Sequence, residues 1–218
     1  MTIAILCPTR HDRQAGLDRL DKSIQDTQSH LFYDDRDMMP TAQKWNDLAK
    51  CAMENQRYNL FMLGSDDMYF ETPGWDKALL DHYNALENKI HVYSLRDSRD
   101  PEGTPHPIVT REYIEATGYF LPPIFLHWYV DSWTVGIAKA NGCFTHKKDY
   151  LLVHDKPSDR GKGDDTHNRI RAWGWRERDE YVAKTCQHFL DAEKVRLGNA
   201  ISWKSLDELT MNIGASSK

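Results

Sequence analysis

Two adjacent carboxylates, Asp66 and Asp67, follow the apolar run Tyr58 to Leu63 after Gly64-Ser65. Carboxylates so placed must be solvated, paired or metal-bound, because burying a bare charge is costly. Hard divalent cations take oxygen ligands and bridge protein carboxylates to substrate phosphates. The competing assignment is a turn that Pro73-Gly74 continues. His154 ends the apolar run Leu151-Leu152-Val153. Its imidazole can complete a metal site or meet a phosphate, or it can be an ordinary hydrogen-bonded histidine. Lys156 and Arg160 beside it suit a diphosphate. Asp131 lies among aromatics in His127-Trp128-Tyr129-Val130-Asp131-Ser132-Trp133. Desolvation there would raise its pKa toward that of a useful base, and a helix N-cap fits the same residue. Pro8-Thr9-Arg10 offers a hydroxyl, backbone amides and a guanidinium, without the glycines of a phosphate loop or dinucleotide fingerprint. From Arg160 to Arg178, basic residues interleave with Trp173 and Trp175. Such a segment can track a nucleic-acid backbone, but Asp164, Asp165, Glu177 and Asp179 dilute it, and a solvated helix face is the better description.

These residues need elements to hold them. Ile3 to Cys7, Leu31 to Tyr33, Tyr58 to Leu63, Ile90 to Leu95 and Tyr150 to Val153 read as short buried strands. Between them lie helical patterns: Leu17, Leu20 and Ile24; Trp45 to Met53 with Thr41 as N-cap; Trp75 to Leu86. Further on come a short helix from Thr110 to Gly118, one from Asp131 to Asn141 with Gly142 just past its end, and one from Arg176 to Leu197. Alternation of this kind predicts an α/β fold with a mainly parallel sheet. Ligands of such sheets bind beyond the strands' carboxyl ends. The polar clusters Pro8-Thr9-Arg10, Asp34-Asp35, Asp66-Asp67, Arg96-Asp97 and His154 all fall there.

The 218 residues suffice for one domain with a real core. With 40% hydrophobic and 28% charged residues, global disorder is excluded. A net charge of -5 means that nucleic-acid binding would rest on a local patch. Mean hydropathy is -0.70, and no apolar run approaches the roughly 20 residues of a membrane span. The chain enters its first strand without a basic lead-in or signal-peptide core. Cys7, Cys51, Cys143 and Cys186 form no CxxC pair, which disfavours a disulfide framework or a cysteine zinc site. The expectation is a cytoplasmic protein.

In order and spacing these segments resemble a GT-A glycosyltransferase of the family 2 type, over roughly residues 3 to 170. Ile3 to Arg10 is similar to that family's first strand and Pro-Thr turn, and Trp45-Asn46-Asp47-Leu48-Ala49 to the helix before the metal strand. Leu60 to Asp67 resembles the strand carrying the DxD motif, with Ser65 where its first Asp would stand. Thr72-Pro73-Gly74-Trp75-Asp76 resembles the Pro-Gly-Trp of small phage and bacterial members. Pro107 to Arg111 with Gly118-Tyr119-Phe120 resembles the approach to the acceptor site, Tyr129 to Trp133 the segment of the base carboxylate, and Val153 to Pro157 the late histidine motif.

The resemblance implies a GT-A domain over residues 1–190 and a helical tail over 191–218, with a mixed, mainly parallel sheet flanked by helices. It implies a metal-dependent, inverting hexosyl- or pentosyltransferase using a nucleotide-diphosphate sugar, most commonly a UDP-sugar. Asp66, Asp67 and His154 would hold Mn²⁺ or Mg²⁺, and Asp131 would be the base. Pro8, Thr9, Arg10, Asp34, Asp35, Ser65, Asp66 and Lys156 would bind the donor, and Arg111, Trp128 and Trp133 the acceptor, a glycan or a hydroxylated DNA base. Two other classes compete. A sugar-phosphate nucleotidyltransferase would normally show an early glycine-rich loop, and a non-catalytic nucleotide-sugar or nucleic-acid binder would not need Asp131.

Overall fold

A computed structural model describes residues 1–36, 39–102, 105–155 and 165–215. The strands are β1 (Thr2–Pro8), β2 (Ser29–Asp34), β3 (Tyr58–Leu63), β4 (Met68–Phe70), β5 (Val92–Asp97), β6 (Ile108–Thr110) and β7 (Phe144–His154). They form one sheet in the order β2-β1-β3-β6-β5-β7-β4. β1 runs parallel to β2 and β3, and β5 parallel to β7. β6 is antiparallel to both β3 and β5, and β4 is antiparallel to β7. Five strands therefore point the same way, and β4 and β6 oppose them.

This topology decides what reaches the site. The carboxyl ends of β1, β2, β3, β5 and β7 share one edge, which carries Thr9, Asp34, Asp66, Asp67, Asp97 and His154. The amino end of the reversed strand β6 lies at the same edge and brings His106 there. The carboxyl end of β6, with Arg111, lies at the opposite edge.

Both faces of the sheet are covered. In β1, Ile3, Ile5 and Cys7 join a core with Leu17, Leu20 and Ile24 of α1 (Gln14–Ile24) and Leu79 and Leu80 of α3 (Trp75–Ala85). Ala4 and Leu6 face the other core, with α2 (Thr41–Met53), α4 (Arg111–Thr117), α5 (Val130–Ala140) and Leu197 of α8 (Gln187–Ala215). The two-residue alternation of a pleated strand produces this division. α6 (Asp165–Ala172) and α7 (Trp175–Thr185) complete the helices. Among the described residues, no helix is long and apolar enough to cross a membrane. All four cysteines are unpaired.

Several local expectations shift. Thr41 is the first residue of α2 rather than its cap. Pro40 holds the N-cap position, and no side chain caps the helix. The strand expected from Ile90 begins at Val92 and runs to Asp97, because Asn88 Oδ1 accepts the Ile90 amide and holds that residue in a turn. The late strand is longer than the apolar run and includes Thr145 to Asp149, whose register against β5 slips between Leu95 and Arg96. The helix expected from Arg176 to Leu197 is two helices parted at Cys186, and α8 runs unbroken through residue 190. Thr110 caps α4 by accepting the Tyr113 amide, and Gly118 ends that helix at φ 77°, as its sequence predicts.

Candidate active site

The adjacent carboxylates Asp66 and Asp67 sit in the turn between β3 and β4, where the Met68 amide donates to the Ser65 carbonyl. Gly64 allows β3 to end against β1. A Cβ on it would lie 2.9 Å from both the Leu6 carbonyl oxygen and the Ile5 side chain. Trp45 of α2 staples the same place, its indole N–H donating to the Leu6 and Gly64 carbonyls at 3.1 and 3.0 Å. On the other side, α1 lies directly under the turn at Gly16, where a Cβ would come within 2.0 Å of the Asp66 carbonyl oxygen.

Thr9, buried at the end of β1, donates its hydroxyl to Asp66 Oδ2 at 2.6 Å. Burial pushes the Asp66 pKa up to about 6; the Thr9 hydrogen bond opposes this and the neighbouring Asp67 charge adds to it. Asp67 behaves oppositely. Burial works against its ionised form, but His154 and the Ser65 hydroxyl outweigh that and hold it well below the usual carboxylate range. Two adjacent carboxylates are thus driven apart in acidity, as neighbouring acids in functional sites often are.

His154 stands between two acids. Its Nε2 is 3.4 Å from Asp67 Oδ2 and its Nδ1 is 3.4 Å from Asp97 Oδ2. Burial lowers its pKa, yet the two carboxylates win and raise it to about 9. Its position follows from pairing. His154 is opposite Met68 in the β4–β7 ladder, the Asp155 amide donates to the Asp67 carbonyl at 2.6 Å, and the His154 amide donates to Ser98 Oγ at 2.9 Å. Arg19 of α1 closes this corner through a 2.6 Å ion pair with Asp155.

Two residues that carry no assigned role in the sequence complete the group. Asp97 Oδ1 accepts the amides of Arg99 and Asp100 at 2.7 and 3.2 Å, which turns its Oδ2 toward the histidines. His106, buried and at φ 55°, has its Nδ1 3.1 Å from the Leu63 carbonyl, and its ring stands edge-on to that of His154 with centroids 4.9 Å apart. Burial drives its pKa down to about 4. Asp97 stood among the strand-end clusters without being assigned a site role. His106 gave no signal because it precedes a short reversed strand, and nothing local marks the reversal.

Asp131 lies in the first turn of α5, whose N-cap is Tyr129 at φ 69°, so Asp131 is not the cap. It accepts the Ser132 amide at 2.7 Å. Burial raises its pKa, the Ser132 bonds lower it, and the nearby Asp100 charge raises it further. Asp100 follows Asp97 in the same loop, so the turn that orients Asp97 also brings a carboxylate close to Asp131. The preceding loop is clamped by Asp179 of α7. That fully buried carboxylate accepts the Leu126, His127 and Trp128 amides at 2.8 to 3.1 Å. Trp128 is half-buried, with the Arg176 guanidinium 6.0 Å from its ring centroid.

The remaining residues divide. Pro8 ends β1, and Arg10 is paired with Asp12 at 2.9 Å. Asp34 is engaged by Arg36, which also reaches Asp47, while Asp35 is half-exposed and 2.9 Å from His11 Nδ1. Arg111 lies at the opposite edge of the sheet from Asp66, Asp67 and His154. Its guanidinium donates to the carbonyls of Tyr58, Met53 and Asn55 at 2.8 to 3.0 Å, clamping the far edge of the sheet. Trp133 is a core residue, 7% exposed and packed edge-on against Phe125 at 5.1 Å. Lys156, with Arg160 and Lys162, lies outside the described residues.

No family model and no curated protein matches the chain. Solved structures do. A glycosyltransferase involved in glycosylating the major capsid protein of the virus PBCV-1 aligns over 83% of this chain and 100% of its own, with TM-score 0.50 and 13% identity. A mutant Drosophila β1,4-galactosyltransferase 7, solved with manganese, UDP-Gal and xylobiose, aligns over 75% of each chain, with TM-score 0.52 and 13% identity. At such identities the likeness establishes the fold, and the sheet described above, mixed, mainly parallel and flanked by helices, is the fold of these glycosyltransferases.

Proposed function

We propose that the chain is a metal-dependent glycosyltransferase that moves a sugar from a nucleotide-diphosphate donor, a UDP-sugar, to an acceptor hydroxyl with inversion. One observation carries the reading: Thr9, Asp66, Asp67 and His154 converge at the carboxyl edge of a sheet with this fold, in the order that the resemblance requires. The galactosyltransferase neighbour was solved with manganese and a UDP-sugar, which supports the same donor class here.

The residues present fit a hard divalent ion. Asp66 and Asp67 supply carboxylate oxygens at one turn, and a buried pair of acids is eased by a cation between it and a phosphate. Asp67 would be the ligand, Asp66 would be aligned through Thr9, and His154 would support the group through its contact with Asp67. Mn²⁺ or Mg²⁺ bound there would neutralise the charge of the leaving diphosphate. Asp131 takes the acceptor proton as the acceptor oxygen bonds to the anomeric carbon and the bond from that carbon to the diphosphate oxygen breaks. Attack opposite the leaving group inverts the anomeric centre. Thr9, Arg10 and the Asp34–Asp35 turn border the nucleotide. Trp128 with Arg176 offers a stacking face for the acceptor, a glycan or a hydroxylated DNA base.

The test is thermal stability with UDP, GDP, CDP and TDP, each with and without Mn²⁺, since a ligand of the folded state raises the melting temperature by mass action. A metal-requiring shift with UDP that vanishes in Asp67→Ala is expected. No shift with any nucleotide would overturn the donor site.

A further inference from the structure

Behind Asp67, three side chains from three elements turn polar atoms toward one another. Asp97 Oδ2, His106 Nε2 and His154 Nδ1 are buried and have no hydrogen-bond partner among the described residues. All three lie within 4.8 Å of one another. Asp97 Oδ2 is 3.4 Å from His154 Nδ1 and 3.8 Å from His106 Nε2. These separations exceed the roughly 2.7–3.2 Å of an N–H···O hydrogen bond. They are those of two ligands on one ion, since ligands about 2.1 Å from a metal stand roughly 3 to 4 Å apart.

The rest of each side chain is already committed, so the three atoms cannot turn elsewhere without cost. Asp97 Oδ1 holds two amides. His106 Nδ1 is against the Leu63 carbonyl, an acceptor only, so this nitrogen carries the hydrogen and Nε2 presents a lone pair to the Asp97 carboxylate. A lone pair facing a carboxylate in a buried space is unfavourable unless positive charge lies between them. His154 Nε2 faces Asp67, which leaves Nδ1 for this cluster.

We propose that Asp97, His106 and His154 bind a second divalent cation of the zinc class through Oδ2, Nε2 and Nδ1. Two imidazoles and one carboxylate suit zinc-like ions, whereas the oxygen-only pair Asp66 and Asp67 suits Mg²⁺ or Mn²⁺. Asp97 and His106 are at most 4% exposed, so the ion would be shielded from solvent, and three protein ligands leave a tetrahedral ion one further position. Asp67 then plays a second part, as the carboxylate that accepts the other ring N–H of a metal-bound histidine. The buried ion thereby fixes His154 and, through it, Asp67. Only the word "second" rests on the donor-site reading, because the three-residue set stands without it.

The experiment is to strip the full-length protein with a chelator, add Zn²⁺, and count retained metal after gel filtration, with Co²⁺ as a spectroscopic probe. The wild type should retain one equivalent of zinc and give visible cobalt absorption, and so should Asp66→Ala, which removes a donor-side carboxylate that touches none of the three ligands. Asp97→Asn and His106→Gln should weaken zinc binding at least about tenfold and lose the cobalt bands. Zinc absent from the wild type, retained equally by both variants, or lost in Asp66→Ala would overturn the proposal. Should those variants fail to fold, ring-nitrogen NMR of the wild type decides. Zinc must shift His106 Nε2 and His154 Nδ1, and a shift confined to other histidines would refute the site. Zinc binding without any nucleotide-dependent thermal shift would leave this site standing and remove the donor reading.

Discussion

The pKa of Asp131 is raised chiefly by burial, with a smaller push from the Asp100 charge. If Asp131 is the base it must be ionised, so turnover falls as pH drops through its raised pKa. Asp100 is part of what raises it, so Asp100→Asn should move the acid limb of the pH–rate profile to lower pH. An unmoved limb would mean that a different group titrates. Asp131→Asn should cost about 10²- to 10⁴-fold in turnover and leave UDP binding intact, checked by activity and thermal shift on the same sample. At this scale the sequence was informative where chemistry and strand ends coincide, as at Thr9, Asp66, Asp67 and His154. Arg111 and Trp133 lie away from that group: Arg111 donates to three backbone carbonyls at the opposite edge of the sheet, and Trp133 packs into the core from α5.

At the scale of elements, two close contacts set the site's position. α1 approaches the Asp66 turn so closely that Gly16 has no room for a methyl group. Gly16→Ala should cost about 1–3 kcal/mol by overpacking and abolish the Mn²⁺-dependent nucleotide shift, because the carboxylates move with the turn. A variant with unchanged metal dependence would show that the turn is not rigidly seated. Asp179 does the equivalent for the loop before α5. Asp179→Ala leaves buried amides unpaired and should cost about 3–5 kcal/mol, while at a permissive temperature UDP binding persists and acceptor use is lost. The five strands that point the same way and the helices α1 to α5 were legible because their apolar spacing is local. β4 and β6 were not, since three residues each, Met68 to Phe70 and Ile108 to Thr110, are too few to show a pattern. The reversal of β6 is what brings His106 to the site's edge and Arg111 to the opposite one.

For the whole molecule, α8 belongs to the same core as the sheet. Leu197 is 1% exposed, Arg196 donates to the Thr117 carbonyl, and Asn88 donates to the Ile201 carbonyl at 3.1 Å. A chain ending at residue 190 loses these contacts, and its unfolding midpoint in urea should drop markedly relative to the full chain; an unchanged midpoint would make the helix an appendage. The last twenty residues are weakly patterned in sequence and suggest a peripheral tail, whereas the docking contacts of α8 lie at Arg196, Leu197 and Ile201.

Trp45 joins the two halves of the site. Its indole N–H holds the ends of β1 and β3, from which the donor-side loops leave, and its ring lies 6.2 Å from that of His127, nearly parallel, in the loop clamped by Asp179. With donor and acceptor bound on either side of it, as proposed, a side chain shared in this way would make the two substrates thermodynamically interdependent, with equal influence in both directions. Occupancy of the donor pocket should therefore change the affinity for acceptor, and Trp45→Phe, which keeps the ring stack but deletes the indole donor, should bring the two affinities toward independence.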